Sequence, residues 1–100
     1  MKYNFSINDF KESLNIGHEI EFVFAGDMFF IQPDYEFIES NNYKQNVSEI
    51  KFILYRCKNW YDNNAEILLS GTYDEIIEFS LKNNLTIKTD FDKFQLNCIL

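Results

Sequence analysis

A strand-like alternation, followed by a glycine turn, constrains this chain most: Ile20, Phe22 and Phe24 alternate with Glu19, Glu21 and Val23. In the EIEFVF segment at positions 19–24, every second residue is a buried-type apolar side chain, which predicts a strand buried on one face. Gly26-Asp27 then supplies a two-residue turn, and pairing outward from it sets Phe24 against Phe29. The apolar side of the predicted hairpin carries Phe22, Phe24, Phe29 and Ile31.

An amphipathic helix is predicted before this hairpin, over Ile7 to Leu14. Ser6 and Asp9 have the spacing of a capping box, and Gly17 is suited to ending the helix. The residues that share one helical face are Tyr3, Ile7, Phe10 and Leu14.

Two more strands and a second helix are predicted after the hairpin. The strands span Glu49 to Cys57 and Ala65 to Leu69, and the helix opens at a capping box of Thr72 and Glu75 and ends at Asn83-Asn84. The residues expected to face inward from this helix are Tyr73, Ile76, Ile77 and Leu81.

The remaining segments complete an α+β fold. Pro33 ends the second strand and begins an irregular connection over residues 33–48, while Thr89 to Phe94 predicts a short last helix before an apolar tail. The predicted architecture is an N-terminal helix, a four-stranded antiparallel meander, a C-terminal helix and a short last helix.

The second face of the predicted sheet is also apolar. The residues expected to project from it are Val23, Phe30, Ile53, Tyr55 and Leu68. Since such a surface is uncommon on a free monomer, either a helix or a partner is expected to cover it.

Length and composition indicate one domain over residues 1–100. The chain has 46% apolar and 25% charged residues, which is typical of a folded globular protein. The N-terminus has no apolar run of the kind found in a signal peptide, so a cytoplasmic protein is expected. Cys57 and Cys98 are then expected to be reduced thiols.

The net charge of -7 argues against a nucleic-acid partner, and it is concentrated in one segment. From Glu12 to Tyr43 there are seven acids and neither Lys nor Arg, whereas residues 44–65 carry a net charge of +2. A bipolar surface field, with its acidic part formed by the first half of the chain, is therefore predicted.

The segment SINDFKESLNIGHEIEF from Ser6, then GDMFFI from Gly26 and DEII from Asp74, resembles a widespread type of small uncharacterised protein from low-GC Gram-positive bacteria. The resemblance covers about two thirds of the chain and departs at residues 35–48, which look like an insertion. It implies an α+β fold. Some single-domain proteins of this kind are immunity proteins that neutralise a neighbouring toxin, so it also implies such a role.

Catalytic and metal chemistry find little support in the residue types. His18 is the only imidazole, and its position beside Glu19 at a helix-to-strand turn favours a turn hydrogen bond over a catalytic role. Neither a zinc motif nor a phosphate loop is present, so no metal and no cofactor are expected. Glu19 and Glu21 share a strand face, where solvated carboxylates are far commoner than an acid/base pair.

A protein-binding surface that combines acids with aromatic anchors is the favoured interpretation. Its predicted residues are Glu19, Glu21, Asp34, Tyr35, Glu36, Glu39, Trp60 and Tyr61. The expected function is that of a non-enzymatic immunity protein, monomeric or weakly dimeric, bound to a basic toxin domain. Two alternatives remain: an acidic inhibitor from a phage or mobile element that imitates nucleic-acid charge, and a small structural or regulatory homodimer.

Overall fold

The computed structural model describes residues 5–36, 50–59 and 64–100. Its strands are β1 (Ile20–Phe24), β2 (Asp27–Pro33), β3 (Lys51–Cys57), β4 (Glu66–Thr72) and β5 (Phe94–Ile99). They form one antiparallel sheet in the order β4-β3-β2-β1-β5. The predicted α+β class is confirmed, and the described residues contain five strands where four were expected.

Two helices that lie wholly within the described residues accompany the sheet, and both begin at the predicted capping boxes. They are α1 (Ile7–Asn15) and α2 (Tyr73–Glu78). Ser6 and Asp9 each accept a hydrogen bond from the other's backbone amide, and Thr72 and Glu75 repeat this exchange. Helix α2 is shorter than expected, because its chain turns away after Glu78.

Both helices pack on the same face of the sheet, which we call the inner face. Phe10 of α1 lies edge-on to Phe22 of β1 at 6.2 Å between ring centroids, and Tyr73 of α2 approaches Phe10 at 6.1 Å. The fully buried residues that form this core include Phe10, Leu14, Ile20, Phe22, Phe24, Phe29, Ile31, Phe52, Leu54, Ile76 and Leu81. The predicted inward positions of Phe10, Leu14, Tyr73, Ile76, Ile77 and Leu81 are confirmed, and Tyr3 lies outside the described residues.

The predicted short last helix is wrong in extent, and the tail that follows it is the fifth strand. Only a single 3-10 turn forms, over Phe91–Lys93. Asp90 precedes this turn, and its side chain does not cap it. Phe94 and Leu96 pack against the inner face with a period of two, a β-bulge at Asn97 then shifts the register, and β5 pairs with β1. An apolar tail with this period completes the sheet because β1 otherwise leaves a backbone edge unpaired.

The hairpin turn lies one residue earlier than predicted. Phe24 pairs with Asp27, so the turn residues are Ala25 and Gly26, with φ of 48° and 87°. This pairing differs from the predicted one by two residues in total, and an even shift returns every side chain to its expected face. The inward placement of Phe22 and Phe29 is therefore confirmed, although the register is wrong.

The predicted outward position of Leu68 is wrong, because β4 contains a β-bulge at this residue. Leu54 pairs with Leu69 and Tyr55 pairs with Ile67, so Leu68 is the extra residue and packs against the core. Ile67 consequently takes the outward position that alternation alone assigns to Leu68, and 61% of Ile67 is exposed.

The Ala25-Gly26 turn yields a stability prediction. We expect Ala25→Asn to raise the free energy of unfolding by about 0.5 to 1 kcal/mol, because asparagine adopts a positive φ more easily than alanine and Asn-Gly is favoured in this turn. Urea denaturation measures the change. Ala25→Val is the matched control, and we expect it to destabilise the protein because a β-branched residue is strained at positive φ. Equal or lower stability of Ala25→Asn would contradict this account of the turn.

Candidate functional site

The sheet face opposite the helices, which we call the outer face, carries a mixture of apolar and polar side chains. Paired residues of neighbouring strands project on the same side, so the register assigns its members. They include Glu21, Val23, Met28, Phe30, Gln32, Ile53, Tyr55, Cys57, Ile67, Ser70, Gln95 and Cys98. Helices α1 and α2 both lie on the opposite, inner face.

An apolar band crosses the middle of the outer face. The rings of Phe30 and Tyr55 pack at 5.9 Å between centroids, and Ile67 borders Tyr55 on the adjoining strand. Val23 and Ile53 extend the band on either side of β2, and both are partly buried. The prediction of a second apolar face is therefore confirmed for these residues.

One end of this face carries a hydrogen-bonded cluster, the acidic corner, which consists of Glu19, Gln32, Asp34, Tyr35 and Tyr55. Its shortest contact joins the Tyr35 hydroxyl to the Glu19 carboxylate, to which it donates at 2.7 Å. The contact forms because Glu19 precedes β1 while Tyr35 follows β2, and the hairpin brings these two segments side by side. Tyr35 remains 47% exposed, so its hydroxyl is fixed while much of its ring stays accessible.

Asp34 and Tyr55 form the other half of the acidic corner. The Gln32 amide donates to the Tyr55 hydroxyl at 3.2 Å, and the Ser70 hydroxyl lies 3.5 Å from the Asp34 carboxylate. Partial burial, and then the negative charges of Asp34 and Glu19, raise the pKa of Tyr55. Both carboxylates therefore act on one phenol, which shows that the fold concentrates negative charge at this end of the sheet.

The remaining predicted acids have different positions. Glu21, the second residue of β1, accepts a weak hydrogen bond from Asn97 at 3.4 Å, and Glu36 is exposed just beyond Tyr35. Glu39, Trp60 and Tyr61 lie outside the described residues. The structure thus brings together Glu19, Asp34 and Tyr35, with Glu21 on the same face.

Gln32 and Tyr55 are the members of the acidic corner that were missing from the predicted site. Both occupy outward positions in their strands, and they lie on neighbouring strands. Their contact depends on the register between β2 and β3, which joins segments separated by a long connection. The alternation within each strand predicts which face Gln32 and Tyr55 occupy, but it does not predict that they are neighbours.

The only histidine makes a structural contact. His18 Nδ1 lies 3.0 Å from the backbone oxygen of Leu100, and the backbones of Glu19 and Leu100 exchange two hydrogen bonds beside it. Across residues 5–36, 50–59 and 64–100, no group of three His, Cys, Asp or Glu side chains has the arrangement of a metal site. No disulfide bond joins Cys57 and Cys98.

Comparisons with protein families, with curated proteins and with solved structures found no match for this chain. Among the helices that the structure describes, none has both the length and the apolar character needed to cross a bilayer.

The acidic corner predicts an unusual tyrosine titration. Partial burial, followed by the hydrogen bond and charge of Glu19, raises the pKa of Tyr35 from 10.0 to about 12. We expect Glu19→Gln to lower this pKa while leaving it above 10.0, because burial is the largest cause. The ¹³C resonances of labelled tyrosines measure it during a pH titration. Glu12→Gln is the matched control, since Glu12 lies on α1.

The direction of the pH effect on stability follows from the same shift. A raised pKa means that the folded state holds the phenolic proton more tightly than the unfolded state. This contribution of Tyr35 is complete below pH 10 and is lost as the pH rises through about 12. Tyr73, whose pKa is raised to about 12 by burial and then by Asp74, is the internal reference that Glu19→Gln leaves unchanged. A Tyr35 that titrates near pH 10 in the unmodified protein would contradict the hydrogen bond.

Proposed function

We propose that this protein is a non-enzymatic inhibitor that neutralises a basic bacterial toxin by binding it through the outer face and the acidic corner. The observation that carries the proposal is the 2.7 Å hydrogen bond between Tyr35 and Glu19. It fixes an exposed aromatic ring and a carboxylate together at the rim of an apolar sheet face. Aromatic anchors next to a polar rim are typical of protein interfaces.

Electrostatics favour a basic partner. Enzymes that act on nucleic acids carry positive surfaces that contact phosphates, and an acidic inhibitor both accelerates association with such a surface and competes with its substrate. Glu19, Glu21 and Asp34 supply negative charge to one region of the outer face. Lys51 is a base at this end of the sheet, and its backbone carbonyl accepts a hydrogen bond from the Asp34 amide at 2.8 Å. One base does not balance the three carboxylates, so the local charge remains negative.

Preorganisation supports tight binding by the same surface. A side chain that is held in one rotamer before association loses less conformational entropy when the complex forms. The Tyr35 hydroxyl is held by Glu19, and the Tyr55 hydroxyl accepts from Gln32. The apolar band next to these rings supplies area whose burial favours a complex.

The apolar band also favours a second candidate, a homodimer formed through the outer face. A symmetric pair would place the same patch on both sides of the interface. Such a pair would bring two acidic surfaces together, and like charges facing one another oppose association. Sedimentation at high protein concentration separates the two candidates, because a monomer that still binds the basic partner excludes the dimer as the functional form.

Charge reversal in the acidic corner tests the proposal. We expect the double variant Glu19→Lys, Asp34→Lys to slow association with the product of the adjacent gene by about tenfold or more, because it reverses the steering field. Stopped-flow association at several salt concentrations measures the rate, and the salt dependence is expected to weaken in the variant. Protection of cells during co-expression with the toxin is expected to fail.

Glu12→Lys, Glu78→Lys is the matched control, because it makes the same charge change at two exposed acids on the helices. Thermal unfolding of both variants shows whether each is folded. Equal loss of binding in the two variants would assign the effect to net charge alone, and it would contradict a local site. Absence of binding and protection with the unmodified protein would refute the proposed function.

A further inference from the structure

A groove lies at the opposite end of the sheet from the acidic corner, and we call it the cationic groove. It is lined by Asp27, Arg56, Ser80, Lys82 and Asn83, among others, and has a volume of about 470 Å³. This volume falls within the range of small-molecule sites. Strand β2 runs from Asp27 at the groove to Pro33 beside the acidic corner, a distance of about 20 Å at the rise of an extended strand.

The guanidinium of Arg56, the only arginine in the chain, is held in a defined orientation beside this groove. Its Nη2 donates to the carbonyl oxygen of Leu81 at 2.9 Å, and its centre lies 5.7 Å from the centroid of the Phe29 ring. The carbonyl and the ring face attract the cation without neutralising it. Arg56 is therefore positioned by neutral groups.

No carboxylate in the described part of the chain forms an ion pair with Arg56. Its Nε is shielded from solvent and has no hydrogen-bond acceptor among those residues. Removing an arginine from water without a counter-charge is costly, and an anion that binds to the remaining Nη positions would offset the cost. The planar guanidinium matches the oxygen geometry of phosphate and carboxylate groups.

Lys82 adds a second cation to the groove. Its Nζ donates to the carbonyl oxygen of Ala25 at 3.1 Å and lies 3.6 Å from the Asp27 carboxylate. Both side chains of this long ion pair are 39% exposed. Two cations and one carboxylate leave the lining with a net positive charge in a protein whose net charge is -7.

The turn after α2 places the other polar groups of the groove. Lys82 and Leu85 bridge a tight turn in which Asn83 and Asn84 both have positive φ. The Leu85 amide donates to the Lys82 carbonyl at 2.8 Å, so the turn is closed and Ser80, Lys82 and Asn83 are held beside Arg56. The side-chain amide of Asn83 and the hydroxyl of Ser80 can donate to those oxygen atoms of a bound anion that Arg56 and Lys82 do not contact.

We propose that the cationic groove binds the phosphate group of a small phosphate monoester, with Arg56 and Lys82 as its principal contacts. A phosphate monoester carries up to two negative charges and three acceptor oxygens, so it can accept from both cations and from a neutral donor at once. A carboxylate offers a single charge and two oxygens. This site lies away from the acidic corner, shares Cys57 with the edge of the outer face, and does not depend on the proposed function.

Nuclear magnetic resonance titration of the full chain with phenyl phosphate tests this proposal. We expect saturable shifts of the amide resonances at Asp27 and at positions 80–83, and a weaker response to benzoate at the same concentration. Phenol is the uncharged probe and is expected to cause no saturable change. Equal affinity for benzoate and phenyl phosphate would overturn the assignment to phosphate, and absence of saturation with phenyl phosphate would overturn the site.

Variants locate the contacts. Arg56→Gln is expected to reduce the affinity for phenyl phosphate at least tenfold, and Lys82→Gln is expected to reduce it less. Lys88→Gln is the matched control, because Lys88 forms an exposed ion pair with Glu78 at 3.0 Å. If Arg56→Gln does not fold, Arg56→Lys replaces it, because lysine keeps the positive charge but lacks the planar donors. The affinities of Arg56→Lys and Lys82→Gln for phenyl phosphate are then the test, and both are expected to be reduced. Unchanged affinity in the folded Arg56 variant would overturn the proposal.

Discussion

The ring of Phe22 joins three of the five strands to helix α1. It contacts Phe94 of β5 at 4.6 Å, Phe29 of β2 at 5.5 Å and Phe10 of α1 at 6.2 Å between ring centroids. Three strands and a helix therefore meet at one fully buried side chain. Because alternate residues of a strand face opposite sides, burial of Phe22 directs Glu21 and Val23 to the outer face. The position of the core thus determines the position of the candidate interface.

The hairpin also determines where the charges lie. The carboxyl end of β2 and the amino end of β1 meet at one end of the sheet, which brings Tyr35 to Glu19. The Ala25-Gly26 turn marks the other end, where the Ala25 carbonyl accepts from Lys82 and its amide donates to the Lys93 carbonyl. Glu19 and Lys82 therefore lie near opposite ends of the hairpin, although Asp27 accompanies Lys82, and the bipolar surface field stays a prediction.

Local patterns predicted the elements whose causes are local. The capping boxes at Ser6 and Thr72 and the alternation through β1 depend on residues within a few positions of one another. The errors arose where a distant partner decides the outcome. Ala25 has a positive φ because the paired strands require that turn, and Leu68 turns inward because β4 carries one extra residue in its pairing with β3. The acidic corner was predicted in part. The concentration of acids in the sequence identified Glu19 and Asp34 as site residues, whereas Gln32 could be identified only from the register of the sheet.

The two candidate sites respond to the same electric field in opposite ways. A net charge of -7 attracts a basic protein toward the acidic corner and repels a small anion from the whole surface. Phosphate binding must therefore depend on short-range contacts with Arg56, whose guanidinium is already oriented by the Leu81 carbonyl and the Phe29 ring. Screening by salt reduces the attraction at one end and the repulsion at the other. The geometry of the sheet, which keeps the two ends apart, allows one acidic chain to present both surfaces.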